Sequence, residues 1–179
     1  MRSLIRSTGV SLVEMMIGIV ILAIALALAL PSYNQWIQNT QIRNAAESIL
    51  RGLQLARSEA ISRNVPVQLT LGAGSSWTVG CVTATAICPA TIQTRATGEG
   101  SSATITITTE GGATQYVFSD LGLMTAPVPG AGSSFTDINV DSTALAAADS
   151  RDLRIRITTG GMIRMCDPNV TSTTDTRKC

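Results

Sequence analysis

The sequence predicts an α+β fold: a long N-terminal helix, membrane-spanning in its first half, packed through its second half on antiparallel β-sheet. Three observations lead there. Val10 to Leu30 is an apolar run with one charge, Glu14. Ile42, Ala46, Ile49, Leu53, Ala56 and Ala60 then recur at alternating spacings of four and three, the period of one buried helix stripe. From Val65 onward, short alternating segments rich in Val, Ile and Thr are separated by turns containing Gly, the pattern of strands with one buried face.

The apolar run comes first. Its length at helical rise is about 30 Å, the thickness of a bilayer's hydrocarbon core. Arg2 and Arg6 precede it with no acid nearby, which puts the N-terminus on the cytoplasmic side and the rest of the chain across the membrane. A cleaved secretory signal would explain the Ala-x-Ala pattern within Ala25 to Leu30. It would not explain a carboxylate in the apolar region, nor a helical pattern that continues past it. A plain anchor also leaves Glu14 without a role.

Gly9-Val10-Ser11-Leu12-Val13-Glu14, then an apolar helix and Pro31, resembles the class III signal of type IV pilins and type II secretion pseudopilins. The resemblance implies that a prepilin peptidase cuts between Gly9 and Val10, that Val10 is then N-methylated, and that the apolar segment stays on the protein. Glu14 becomes the fifth residue of the mature chain and Pro31 the twenty-second, positions characteristic of the family. Val10 departs from the Phe or Met more usual in major pilins. A carboxylate in lipid must be neutralised or paired, and the cut creates an amine on Val10 about one helical turn from Glu14. Glu14 is therefore expected to be an assembly contact that sets register, within a chain or between subunits.

The helix is expected to continue to about Arg63, kinked or locally melted at Pro31. Arg43, Glu47 and Arg51 stand at i, i+4 and i+8 on a second face, where they can pair along the surface. Pro66 disfavours helical geometry at Val65 and stops it. Ala56-Arg57-Ser58-Glu59-Ala60, then a short turn and a strand, resembles the FimT/FimU and GspH type of minor pilin and pseudopilin. That resemblance covers Gly9 to Leu71; beyond it the likeness is architectural. Ala56 and Ala60 are small enough for a sheet to approach closely. Arg57 and Glu59 read as structural polar contacts. The organisation expected is a leader at 1–9, a membrane or filament-core helix at 10–30, its amphipathic continuation at 31–64 and a periplasmic β-rich domain at 65–179.

Within that domain the strands expected are Val65–Leu71, Trp77–Val82, Ala103–Thr108, Gln115–Ser119, Phe135–Val140, Leu153–Thr158 and Met162–Cys166. Glu110-Gly111-Gly112 suggests a hairpin between the third and fourth, and Thr159-Gly160-Gly161 a hairpin between the last two. Thr83–Ser102 and Met124–Ser134 lack a period and read as exposed loops, where partner specificity tends to lie.

Histidine is absent from the chain, which removes Ser-His-Asp and Cys-His nucleophiles and His-based zinc sites. Neither a phosphate loop nor a paired-carboxylate or metal pattern stands out. The chain reads as non-enzymatic and without a cofactor. Asp137 and Asp141 are spaced to share a calcium ion, but on a strand and its end they are expected to face solvent. The four cysteines, Cys81, Cys88, Cys166 and Cys179, allow three connectivities. Behind an export signal the local one, Cys81–Cys88 with Cys166–Cys179, is expected; four reduced thiols are the alternative, and without a CxxC knuckle zinc is disfavoured. The second pair resembles the C-terminal disulfide loop of pilins.

Net charge is +1, so no global field points to nucleic acid. From residue 151 onward, however, six cations face three carboxylates. Arg154 and Arg156 alternate with Leu153, Ile155 and Ile157 on one strand face, and Arg164 lies nearby in sequence. Some FimT-type pilins bind DNA through a Gly-Arg-x-Arg element. The matching stretch here, Gly161-Met162-Ile163-Arg164, lacks the first arginine, so DNA contact through Arg154, Arg156 and Arg164 is only the alternative reading. The leading expectation is a minor pilin that assembles into or primes a type IV pilus for adhesion, twitching motility or DNA uptake. A type II secretion pseudopilin is the other alternative. Its partners would be other major and minor pilins, the prepilin peptidase, an assembly platform and inner-membrane lipid.

Overall fold

The computed structural model describes residues 9–127 and 134–179. Arg2, Arg6 and most of the expected leader lie outside the described residues, as does much of the expected loop at Met124–Ser134. The chain divides into two compact units, one ending at Trp36 and the other spanning Ile37–Cys179.

In the first unit helix α1, Leu12–Arg63, begins. Every residue from 9 to 30 is exposed. Among the described residues this is the helix long and apolar enough to cross a membrane. Tyr33 and Trp36, one turn apart just past the span, stack with centroids 6.0 Å apart; such aromatic pairs suit a membrane–water boundary. α1 stays helical through Pro31. The proline removes the N–H that would have bonded the carbonyl of Ala27.

In the second unit α1 presents its stripe to the core. Ile42, Ala45, Ala46, Ile49, Leu53, Ala56 and Ala60 are all buried. On the exposed side Glu47 accepts from Arg43 at 2.9 Å and from Arg51 at 3.1 Å, the pairing their spacing predicts. The helix ends on Asn64, whose φ is 56°. The Val65 N–H reaches back to the Ala60 carbonyl at 3.3 Å, the six-to-one bond of a Schellman cap. Pro66 alone suggested the stop; the left-handed Asn64 is what closes it.

Two antiparallel sheets share one apolar cluster with this helix. The first has the order β3-β2-β1-β5-β6, with β1 at Val67–Leu71, β2 at Trp77–Cys81, β3 at Gln93–Arg95, β5 at Gln115–Phe118 and β6 at Met124–Ala126. It contributes Val67, Leu69, Val79, Tyr116 and Phe118 to the core. It comes so close to α1 at Gly52 that a Cβ there would lie 2.7 Å from Leu69 Cδ1 and 3.1 Å from the Trp77 ring. The Trp77 indole N–H donates to Ser48 Oγ at 2.8 Å, which satisfies both groups in the interior. The second sheet has the order β4-β7-β8-β9, with β4 at Ile105–Thr109, β7 at Phe135–Ser142, β8 at Leu153–Thr158 and β9 at Ile163–Cys166. It contributes Ile105, Ile138, Val140, Ile155 and Ile157.

The hairpin expected across Glu110-Gly111-Gly112 does not form. β4 pairs with β7, and β5 pairs with β1 and β6. Gly111 and Gly112 both take positive φ, and the turn they make carries the chain from one sheet to the other. The hairpin across Thr159-Gly160-Gly161 does form, joining β8 and β9. The two stretches read as loops each contain a three-residue strand, β3 and β6, too short for a period to show.

A polar clasp fixes the start of the packed half of α1. Gln38 Oε1 accepts from Thr104 Oγ1 at 2.9 Å and Ser142 Oγ at 3.0 Å. Asn39 donates to the Asp149 carbonyl at 3.0 Å and accepts the Arg151 N–H at 2.8 Å. These bonds tie the helix to the loops at one end of the second sheet.

Asn64 offers a test of the cap. Asn64→Val forces a β-branched residue into left-handed geometry and should lower unfolding free energy by about 1–2 kcal/mol, whereas Asn64→Gly should not lower it. Chemical denaturation of the two variants measures the difference.

Candidate functional site

Two regions were singled out by sequence: the helix start and the basic strand face. At the helix start, the Glu14 N–H donates to Ser11 Oγ at 3.1 Å and the Met15 N–H to the Ser11 carbonyl at 3.2 Å. Ser11 is thus the N-cap of α1, and Glu14 occupies the third helical position. Ser11-x-x-Glu14 is a capping-box spacing, a signal available in the sequence that the reading of Glu14 as a partner for the Val10 amine passed over. In the first turn the Glu14 carboxylate also lies at the positive end of the helix dipole. Gly9 and Val10 stand exposed immediately before the cap.

The second sheet's outer face is built by register. β7 alternates Thr136, Ile138, Val140 and Ser142 inward with Asp137, Asn139 and Asp141 outward. Pairing sets Asp137 opposite Arg156 and Asn139 opposite Arg154, and then Arg156 opposite Arg164. Arg156 grips Asp137 with two bonds, both 2.9 Å. Arg154 donates to Asn139 Oδ1 at 2.7 Å and lies 3.4 Å from Asp137 Oδ2. The Arg156 guanidinium also stacks 3.8 Å over the Phe135 ring. Two arginines directly opposite would repel; the chain beyond β9 relieves this. Arg156 donates to the Cys179 carbonyl at 2.5 Å, and Arg164 to the carbonyls of Lys178 and Cys179 at 3.2 Å each. The Asp167 N–H donates to the Arg177 carbonyl at 2.7 Å, and a Cys166–Cys179 disulfide closes the loop.

Of the expected basic strand face, Arg156 and Arg164 clamp the tail while Arg154 is held by Asn139 and Asp137. Asp137, expected in solvent, has only 13% of its side chain exposed because two arginines cover it. Asp141 does not join it in a calcium site. It accepts from Ser150 Oγ at 2.7 Å and the Ser142 N–H at 2.6 Å, and it neighbours Asp152. Burial raises the Asp152 carboxyl, Ser150 lowers it, and the adjacent Asp141 raises it further, for a net rise. Burial opposes ionisation of Asp141 too, but bonds from Ser150, Asp152 and the Ser142 N–H outweigh it and hold its carboxyl below the usual range. Of the two carboxyls, Asp152 is the one that keeps its proton to higher pH. Among the described residues, no cluster of three or more His, Cys, Asp or Glu could hold a metal.

The other cysteine pair is also local: Cys81–Cys88 closes a loop against the end of α1. There Arg63 bonds the Ile87 carbonyl at 2.5 Å and Glu59 at 2.6 Å. Arg57 donates from Nε to the Gly122 carbonyl at 3.1 Å. Both residues make the polar contacts read for them in the sequence.

Comparison with known proteins fits this geometry. The family model described as Type II transport protein GspH matches residues 45–161, from the packed half of α1 to the β8–β9 turn. The chain belongs to the GspH family. A second model, the prokaryotic N-terminal methylation motif, matches residues 5–30 of this GspH-family protein. Among solved structures it is similar to the type IV minor pilin FimU of Pseudomonas aeruginosa. One crystal form gives a TM-score of 0.53 at 17% identity, covering 73% of this chain and 99% of FimU. It is similar also to the minor pseudopilin EpsH of the Type 2 Secretion System of Vibrio cholerae, with a TM-score of 0.50 at 15% identity and coverage of 73% and 99%. No curated relative matches in sequence. These likenesses establish the pilin-like fold, and the family is one of structural pilins and pseudopilins.

Two outcomes follow for the sheet. Asp152 has a raised carboxyl, so its stabilising contribution is full in acid and is lost as pH rises through its folded-state value. Asp152→Asn keeps a donor toward Asp141 without the charge, so the gain in melting temperature over the wild type should grow as pH rises from acid to neutral, read by thermal unfolding across that range. Cys179→Ser opens the tail loop and should cost about 2–3 kcal/mol in chemical denaturation.

Proposed function

We propose that this GspH-family protein is a minor pilin that assembles into or primes a type IV pilus. Residues 10–30 hold it in the bacterial inner membrane with the β-rich domain on the periplasmic side until assembly moves it to the cell-surface filament. A prepilin peptidase cuts between Gly9 and Val10, and the new amine of Val10 is methylated. The observation that carries this reading is the helix start. Ser11 caps α1 so that Glu14 is fixed in the first turn, close along the chain to the amine the cut would create. In an apolar filament core that amine and the Glu14 carboxylate neutralise each other, within one chain or between neighbours, and penalise wrong registers. Other pilins and an assembly platform are the partners this requires.

A second reading, a pseudopilin of a type II secretion system, is favoured by the description of the matching family and by the likeness to EpsH. It differs in the machine served and keeps the same roles for Gly9, Val10 and Glu14. Contact with DNA through Arg154, Arg156 and Arg164 has less support, because their donors turn to Asp137, Asn139 and the tail carbonyls.

Glu14→Ala and Glu14→Gln should still be cut after Gly9 yet be recovered from sheared filaments at about a tenth of the wild-type level or less, a loss of at least one charge-assisted contact. Immunoblots of filament and membrane fractions measure this, and wild-type recovery of either variant sinks the proposal. Deleting the gene and scoring piliation against protein secretion separates the two machines.

A further inference from the structure

Three segments meet beside the last turns of α1: the helix itself, the β5–β6 turn at Ser119–Leu123, and the β8–β9 turn at Thr159–Met162. Two glycines permit the approach. A Cβ on Gly122 would lie 2.7 Å from Ile61 Cδ1, and one on Gly161 would lie 1.9 Å from the Gly122 carbonyl oxygen and 3.1 Å from Arg57 Nε. Arg57 spends its Nε–H on the Gly122 carbonyl. Its two terminal nitrogens make no hydrogen bond or ion pair with any described residue.

Four exposed apolar residues border this contact: Ile61 at 50% and Met162 at 59% line the groove beside Arg57, and Leu121 at 73% and Leu123 at 44% flank Gly122 in the β5–β6 turn. A groove of about 410 Å³ runs alongside, lined by Gln54, Arg57, Ser58, Ile61, Met162 and Ile163. Its lining contains no carboxylate. A half-buried arginine with spare donors beside exposed apolar side chains is the composition of an interface hot spot. Elsewhere in this domain the exposed arginines of α1 are already paired, Arg43 and Arg51 with Glu47.

We propose that this groove docks another subunit of the filament, through an apolar segment that carries one carboxylate. This rests on the filament reading above. The chemistry selects the occupant. A purely apolar segment would strip water from the Arg57 terminal nitrogens and give nothing back. Nucleic acid would find one cation among four hydrocarbon side chains, too little to neutralise a phosphate backbone. An acidic side chain flanked by apolar ones meets both demands: its carboxylate takes the paired terminal nitrogens of Arg57 in a fork, and its neighbours cover Ile61, Leu121 and Met162.

The test uses the full chain in cells that assemble the filament. Leu121→Asp with Met162→Asp places two carboxylates on exposed positions, so the fold and the membrane level should persist, checked by an unchanged melting temperature. Recovery in sheared filaments should fall about tenfold or more, the effect of losing one hot-spot contact. A photoreactive residue at Leu121 should cross-link to one filament subunit. Arg57→Lys should keep that cross-link and Arg57→Gln should lose it, a readout that mere structural damage would not split by charge. Wild-type recovery of the double variant overturns the docking site, as does a cross-link to lipid alone. Absence of the unaltered chain from filaments overturns the filament reading itself, and the docking site with it.

Discussion

Burial of one helical stripe governs this fold. Ile42, Ala45, Ala46, Ile49, Leu53, Ala56 and Ala60 form the surface on which both sheets close. An isolated helix gains little from propensity in water; tertiary packing of its apolar face is what holds it. The stripe is rich in alanine, and with Gly52 it lets strands lie close enough for Trp77 to reach Ser48. The clasp at Gln38 and Asn39 and the Schellman turn at Asn64 fix where the packed segment begins and ends. The sheets in turn set the register that brings Asp137 to Arg156, so the arginine clamp depends on the helix at one remove.

The helix was the most legible element. A spacing of four and three over nineteen residues, Ile42 to Ala60, admits one interpretation, and a proline past its end gives the boundary. The strands were legible as alternations, each with a buried face. Their partners were not. Ile105–Thr109 and Gln115–Phe118 flank a Gly-Gly turn and still lie in different sheets, because a turn fixes local chain direction while pairing is decided by which edge buries more apolar surface. β3 and β6 are three residues long and carry no period to read. They hold their places through neighbouring strands, information that lies elsewhere in the chain.

The sites divide along similar lines. Glu14 was conspicuous because a carboxylate in an apolar run contradicts its surroundings. Ser11, whose spacing to Glu14 is a capping signal, was hidden by the stronger anomaly beside it. On the second sheet, alternation correctly placed Arg154 and Arg156 on one face. Their occupation was unreadable: Arg154 turns to Asn139 and Asp137 on β7, and Arg156 also holds a tail that a disulfide brings over. Likewise Asp137 has no sequence neighbour that would reveal its arginines, which arrive from β8 seventeen and nineteen positions later.

The way the core is divided along the chain has a temporal side. Ile42 to Ala60 are made first, but Ile155 and Ile157, which complete the same cluster, follow about a hundred residues later. Until they arrive the second sheet lacks β8, one of its two inner strands, and part of the helical stripe has nothing to cover it. Folding is therefore dominated by contacts between distant parts of the chain, a topology that is slow and leaves apolar surface open in the meantime. A nascent or freshly exported copy must keep that part of its alanine-rich ridge from other copies throughout the interval, and a chain cut short before β8 would carry it exposed for as long as it lasted.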